Sequence, residues 1–238
     1  LYAKQKGAHR YADAIAQGDP LSQAVFFRNQ GPWCVGPELD ADPDCNALPS
    51  KPERRFGLYP DRIQADRGFC KAIAKREDGR ALLHQFSVVV EDEGGTLKAV
   101  PYNTHFGDDM RAVARSLEAA AKAIEGVAAE AALHRYLTVA AEAFRTNAWF
   151  KADEAWAAMN ARNSKWYLRV GPDETYFEPC NEKAAFHMTL ARIDQGSLKW
   201  QDKLDPFKAD METALAALAG EPYEARAVDF KLPDFIHI

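Results

Sequence analysis

The sequence predicts a predominantly helical α+β fold, and three observations carry that reading. From Asp108 onward, apolar residues recur at spacings of three and four, a helical period, in a stretch crowded with alanine. One short segment, 86–100, changes to β-branched residues on either side of Glu93-Gly94-Gly95, the pattern of a hairpin. No internal repeat or low-complexity linker divides the 238 residues. Helices packed with one hairpin and a few short strands, in one compact unit, are therefore expected.

Residues 2–16 read as a first helix, and Gly18-Asp19-Pro20 both stops it and opens a short helix over 21–27. Residues 32–60, rich in proline, glycine and aspartate, read as an irregular loop. Residues 62–75 carry Ile63, Phe69, Ile73 and Ala74 in a weak helical pattern, and the hairpin follows. An Asp108 cap then starts a long helix with Met110, Val113, Leu117, Ala120, Ile124 and Val127 on one face. Tyr136, Leu137, Ala140, Ala141 and Phe144 belong to a second helix, and Ala155, Trp156 and Met159 to a third. A short strand is expected over 165–170 and a helix over 182–193. Asp205-Pro206 opens a last helix whose Phe207, Met211, Leu215 and Leu218 are expected to face inward, with Gly220 and Pro222 ending it. Residues 225–230 suit one more strand. The expected division is 1–55, N-terminal helices with a stapled loop, and 56–238, an α+β cleft-forming region.

Composition excludes some partners. A formal charge of −5 leaves no basic footprint for nucleic acid, and no apolar run approaches the roughly 20 residues that span a bilayer. Leu1 opens directly into the polar Tyr2-Ala3-Lys4-Gln5-Lys6, so an export signal is read as removed or never present. Four cysteines, Cys34, Cys45, Cys70 and Cys180, allow three pairings. Cys34 and Cys45 bracket a loop that needs a staple, which favours their pairing and leaves Cys70 with Cys180. An extracytoplasmic home (periplasmic, secreted or as a lipid-anchored precursor) goes with the bridges. The alternative is four reduced cysteines, some simply buried.

Most catalytic signatures are missing. The histidines at 9, 84, 105, 134, 187 and 237 include no helical i, i+4 pair, and no His-Glu-x-x-His occurs. No metal ligands are assigned in this chain. Asp40, Asp42 and Asp44 alternate like the start of a calcium loop, but Cys45 and Lys51 stand where glycine and glutamate are needed, which favours a solvated acidic loop. There is no Gly-x-Ser-x-Gly elbow, and the glycines at 94 and 95 suit a turn better than a phosphate loop. What remains is Val170-Gly171-Pro172-Asp173-Glu174-Thr175-Tyr176, a strand end running into a polar turn. Side chains two apart on extended backbone point the same way, so Glu174 and Tyr176 could face one cleft, or could cap a following helix.

Gly171-Pro172-Asp173-Glu174-Thr175-Tyr176, with Lys183-Ala184-Ala185-Phe186 beyond it, resembles the Glu-x-Tyr signature of dipeptidyl-peptidase III-like zinc peptidases, especially their shorter bacterial relatives. Phe26-Phe27-Arg28-Asn29-Gln30, Gly57-Leu58-Tyr59-Pro60, Ala99-Val100-Pro101-Tyr102, Leu117-Glu118-Ala119-Ala120, His134-Arg135-Tyr136-Leu137 and Asp153-Glu154-Ala155-Trp156 agree in order, so the resemblance spans roughly residues 21–193. It implies peptide substrates, anchoring by Glu174 and oxyanion stabilisation by Tyr176 as the catalytic group. His187 stands where the family places a second substrate-anchoring glutamate, a departure that bears on dipeptidyl specificity. The family's zinc helix lies downstream of the motif. The resemblance thus implies zinc in the complete protein, an amino-terminal cleft portion here, a C-terminal catalytic segment of the same precursor as partner, and no hydrolysis by this chain alone. Two alternatives stand beside it, a non-catalytic secreted peptide-binding module and a structural helical domain.

Overall fold

A computed structural model describes residues 1–16, 19–229 and 236–237. The helices are α1 (Tyr2–Gln5), α2 (Ala12–Ala16), α3 (Pro20–Asn29), α4 (Phe69–Ala74), α5 (Gly79–Leu82), α6 (Tyr102–His105), α7 (Gly107–Ala123), α8 (Ala131–Thr146), α9 (Phe150–Ala157), α10 (Leu198–Leu204) and α11 (Lys208–Ala219). The strands are β1 (Ser87–Glu91), β2 (Leu97–Pro101), β3 (Trp166–Pro172), β4 (Phe186–Ile193) and β5 (Ile236–His237). β1 and β2 form the expected antiparallel hairpin, with Val89 opposite Ala99, and the other sheet has the order β3-β4-β5. The fold is predominantly helical α+β.

The chain divides into two compact units, Leu1–Ser116 with Ala141–Trp149 and Val170–His187, and Leu117–Ala140 with Phe150–Arg169 and Met188–Ile238. In the first, Tyr102, Phe106, Phe144, Trp149 and Phe186 are buried in one aromatic cluster, in which Phe144 stacks on Phe186 at 5.7 Å between ring centres. In the second, the core includes Tyr136, Leu137, Ala140, Ala152, Ala155 and Leu168. There Ser164 Oγ donates to the buried Glu130 carboxylate at 2.7 Å.

Several elements differ from expectation for identifiable reasons. The helix over 2–16 is broken after Gln5, because Gly7 takes φ 70° and sits so near the chain at Arg55 that a β-carbon would lie 1.9 Å from the Arg55 carbonyl oxygen. Asp19 does cap α3, accepting from the Leu21 and Ser22 amides at 2.9 and 3.0 Å. Asp108 lies in the first turn of α7 and pairs with Arg111, while the buried face is Met110, Ala114, Leu117 and Ala121. The larger Val113 had suggested a face one residue away. The helix expected over 182–193 is strand β4. Its residues Met188, Leu190 and Arg192 are exposed while Ala191 and Ile193 are buried, so apolar side chains on the outer face mask the period of two.

The last helix is also turned. Phe207, Met211, Leu215 and Leu218 are exposed, and Glu212 is the residue of α11 that is buried. Its carboxylate accepts from Arg226 Nε at 2.9 Å and Tyr223 OH at 2.6 Å, and the arginine, then the phenol, hold its carboxyl well below the usual carboxylate range. Residues 225–229 form no strand, and 230 lies outside the described residues.

The loop over 32–60 has a core of its own. Trp33 is buried, donates from Nε1 to the Pro52 carbonyl at 2.7 Å, and bridges Asn46 across the loop. Cys34 and Cys45 lie at disulfide distance, 2.15 Å between sulfurs, and Cys70 and Cys180 at 2.03 Å. Lys51 Nζ donates to the carbonyls of Asp40 and Asp42 at 2.8 and 2.7 Å, putting a cation where the calcium reading would have placed a ligand.

Candidate functional site

Gly171 and Pro172 end β3 and set up the site. Gly171 takes φ 148°, and a β-carbon there would approach the buried Trp149 ring to 3.2 Å, so the end of β3 lies this close to the ring only with glycine. Backbone pairing continues past Pro172, with the Asp173 amide donating to the Ala185 carbonyl at 3.0 Å and the Ala185 amide to the Glu174 carbonyl at 2.8 Å. Glu174 is thus fixed through its main chain while its side chain is exposed.

The chain then turns, and a buried carboxylate organises the turn. Glu178, 3% exposed, accepts from the amides of Cys180, Glu182 and Lys183 at 2.9, 2.6 and 2.9 Å. Lys183 is fully buried and its ammonium donates to the carbonyls of Leu82 and His84 and to Ser87 Oγ, 5.8 Å from the centre of the Tyr59 ring. Burial lowers its pKa to about 8, against the raising influence of Glu178 and Glu182. On the other side of the motif, buried Gln5 donates to the Ala184 carbonyl at 2.9 Å and accepts from the Phe186 amide at 2.8 Å. Tyr102 OH also donates to Ala184, at 3.0 Å.

These supports frame a pocket of about 340 Å³ lined by Tyr2, Asp173, Glu174, Tyr176, Phe177, Ala185, Phe186 and His187. All belong to the first unit. Tyr176 is 75% exposed, and Tyr2 and Phe177 meet with ring centres 5.6 Å apart. His187 Nε2 lies 3.8 Å from an Asp173 carboxylate oxygen. The structure thus brings Glu174, Tyr176 and His187 to one pocket. Sequence reading missed Tyr2, Phe177 and Asp173 as lining residues. Asp173 is adjacent to the motif and could have been found by its charge, whereas nothing local links Tyr2 to residues more than 170 positions away.

Chemically, the pocket offers two carboxylates, two phenols, an imidazole and aromatic surface. That combination suits a cation with apolar substituents. Among the described residues, no group of three or more His, Cys, Asp or Glu side chains is placed to hold a metal ion, and no helix is long and apolar enough to cross a membrane.

The fold and pocket place the chain among helical α+β scaffolds with an acidic, aromatic pocket at a strand end. Two solved structures share this fold. The structure of dipeptidyl-peptidase III from Corallococcus sp. strain EGB superimposes with a TM-score of 0.69 at 22% identity, and that of DPP III from Caldithrix abyssi with 0.73 at 24%. Each match covers 90% of this chain, which spans 40% of the length of either relative. No protein-family profile matches the sequence. No curated protein gives a significant match.

Proposed function

We propose that the chain is the substrate-holding portion of a dipeptidyl-peptidase III-like peptidase. The observation that carries this reading is that Glu174 and Tyr176 both line one open pocket, on a fold shared with two structures of that name. Glu174 holds the ammonium of a peptide by a charge-assisted hydrogen bond. Tyr176 donates to the oxygen that becomes negative when the scissile carbonyl is attacked, a contact of greatest value in the transition state. His187 borders the bound peptide. The metal that the sequence resemblance implies is assigned to a C-terminal segment of the complete protein, and this chain alone is expected to be inactive. Two cysteine pairs at disulfide distance suit an oxidising, extracytoplasmic compartment.

Calorimetric titration of the chain with a short peptide tests this reading. Glu174→Gln should weaken binding by about 1 to 3 kcal/mol, the cost of losing a hydrogen bond to a charged group. Unchanged affinity would overturn it.

A further inference from the structure

Tyr176 and Phe177 reach the pocket from a loop whose ends are held together by the main-chain bonds of Asp173 and Glu174 with Ala185. Between those ends, the Glu178 carboxylate accepts from the amides of Cys180, Glu182 and Lys183, which sets the shape of the turn. A covalent bond fastens the turn to a helix, since Cys180, just beyond Tyr176 and Phe177, is joined to Cys70 in the first turn of α4. Both cysteines are half-buried, within reach of a small thiol or disulfide reagent. The Cys34–Cys45 pair lies in the loop over 32–60, and none of the lining residues named above comes from that loop. The two pairs therefore differ in what they hold.

We propose that Cys70 and Cys180 are positioning residues for the pocket, and that oxidation of this pair switches the wall carrying Tyr176 and Phe177 from slack to firm. A disulfide-bearing oxidant takes two electrons and the two thiol protons from the pair. Its own S–S bond breaks, the bond between the Cys70 and Cys180 sulfurs forms, and the oxidant leaves as two thiols. With the bridge closed, the order of Tyr176 and Phe177 belongs to the folded chain. With it open, a peptide must order both side chains as it binds, at a cost in entropy. The pocket is then competent in an oxidising compartment and weakened in a reducing one. This rests on the reading of the pocket as a peptide site and names a control of it.

The test uses the whole chain with Cys34→Ser and Cys45→Ser, in which Cys70–Cys180 is the pair left to reduce, titrated with a short free-amine peptide. Oxidised, this variant should bind as the unsubstituted chain does. Dithiothreitol should weaken binding roughly three- to tenfold, the range for ordering a side chain at an interface, and oxidised glutathione should restore it. Amide hydrogen exchange over 175–182 should quicken on the order of tenfold on reduction and slow again on reoxidation, as expected of a loop released locally. The chain with Cys70→Ser and Cys180→Ser should match the reduced state without any reagent, and it carries the test if the first variant does not fold. Equal affinity before and after reduction, with both thiols free by thiol assay, overturns the inference. So does an equal loss of affinity on removing Cys34 and Cys45 alone. If the oxidised, unsubstituted chain binds no peptide, the peptide reading of the pocket falls instead, and unchanged exchange over 175–182 would then overturn the positioning role by itself.

Discussion

Tyr176 and Glu174 sit two residues apart, yet their proposed duties are separable. A phenol aimed at a developing oxyanion gains most of its strength as charge appears, whereas a carboxylate on an ammonium acts in the ground state. Tyr176→Phe in the complete protein should therefore lower kcat by about ten- to a thousandfold with little change in peptide affinity, reading the loss of one oxyanion donor. Steady-state kinetics with a measured Kd check it. A rise in KM at constant kcat would give Tyr176 a binding role instead. At this scale the sequence was informative where local geometry decides. A spacing of two allowed Glu174 and Tyr176 to face one cleft, and both line the pocket, although Gly171 and Pro172 are the last residues of β3 and Glu174 still pairs with Ala185 through its main chain. It was silent on Tyr2, Gln5 and Lys183, because their roles come from contacts across many residues, such as Gln5 with Ala184 and Phe186.

The segment following the motif is held from three directions, by Glu178, by Lys183 and by the Cys70–Cys180 pair. The cysteine pair spans a sequence separation of 110, and closing so long a loop restrains the unfolded chain strongly. Replacing both cysteines by alanine should cost about 2 to 4 kcal/mol in denaturant unfolding, and non-reducing peptide mapping should recover both Cys34–Cys45 and Cys70–Cys180 linkages. Free thiols would contradict the pairing. Buried lysines add a pH signature. Burial lowers Lys6 and Lys183 to about 8, below their ordinary value of 10.5. Between these values the unfolded chain binds more protons than the folded one, so their contribution to stability rises with pH across about 8 to 10.5. Tyr59 and Tyr102 act oppositely, since burial raises both phenols and the unfolded chain ionises first above about pH 10. The unfolding midpoint should therefore climb from pH 8 to about 9.5 and fall above about 10.5, with the climb reduced in Lys183→Met. A steady decline from pH 8 would contradict this. Helix α8, with one strongly buried face, was legible from period, and the β1–β2 hairpin from its β-branched residues on either side of Glu93-Gly94-Gly95. The type of β4 and the buried face of α11 were not, because exposed Met188, Leu190, Met211 and Leu215 carry the apolar signal on the solvent side.

For the whole molecule, the predominantly helical α+β class followed from composition and period, and the resemblance read from scattered motifs agrees with a fold likeness covering 90% of the chain. The division into two units was not legible, since each unit gathers segments from separate parts of the chain and sequence order gives no sign of which ones meet. The absence of a metal-holding cluster among the described residues gives a direct expectation. After dialysis against a weak chelator, the chain should retain no stoichiometric zinc by elemental analysis, and one tightly held ion would oppose the assignment of the metal to another segment. Whether the pocket at the end of β3 receives a peptide amino terminus is decided by a crystal structure of the chain soaked with a free-amine tetrapeptide. The ammonium is expected within hydrogen-bonding distance of the Glu174 carboxylate, with the peptide passing Tyr176. A peptide bound away from this pocket, or one whose amino terminus points out of it, would rule the proposed binding mode out.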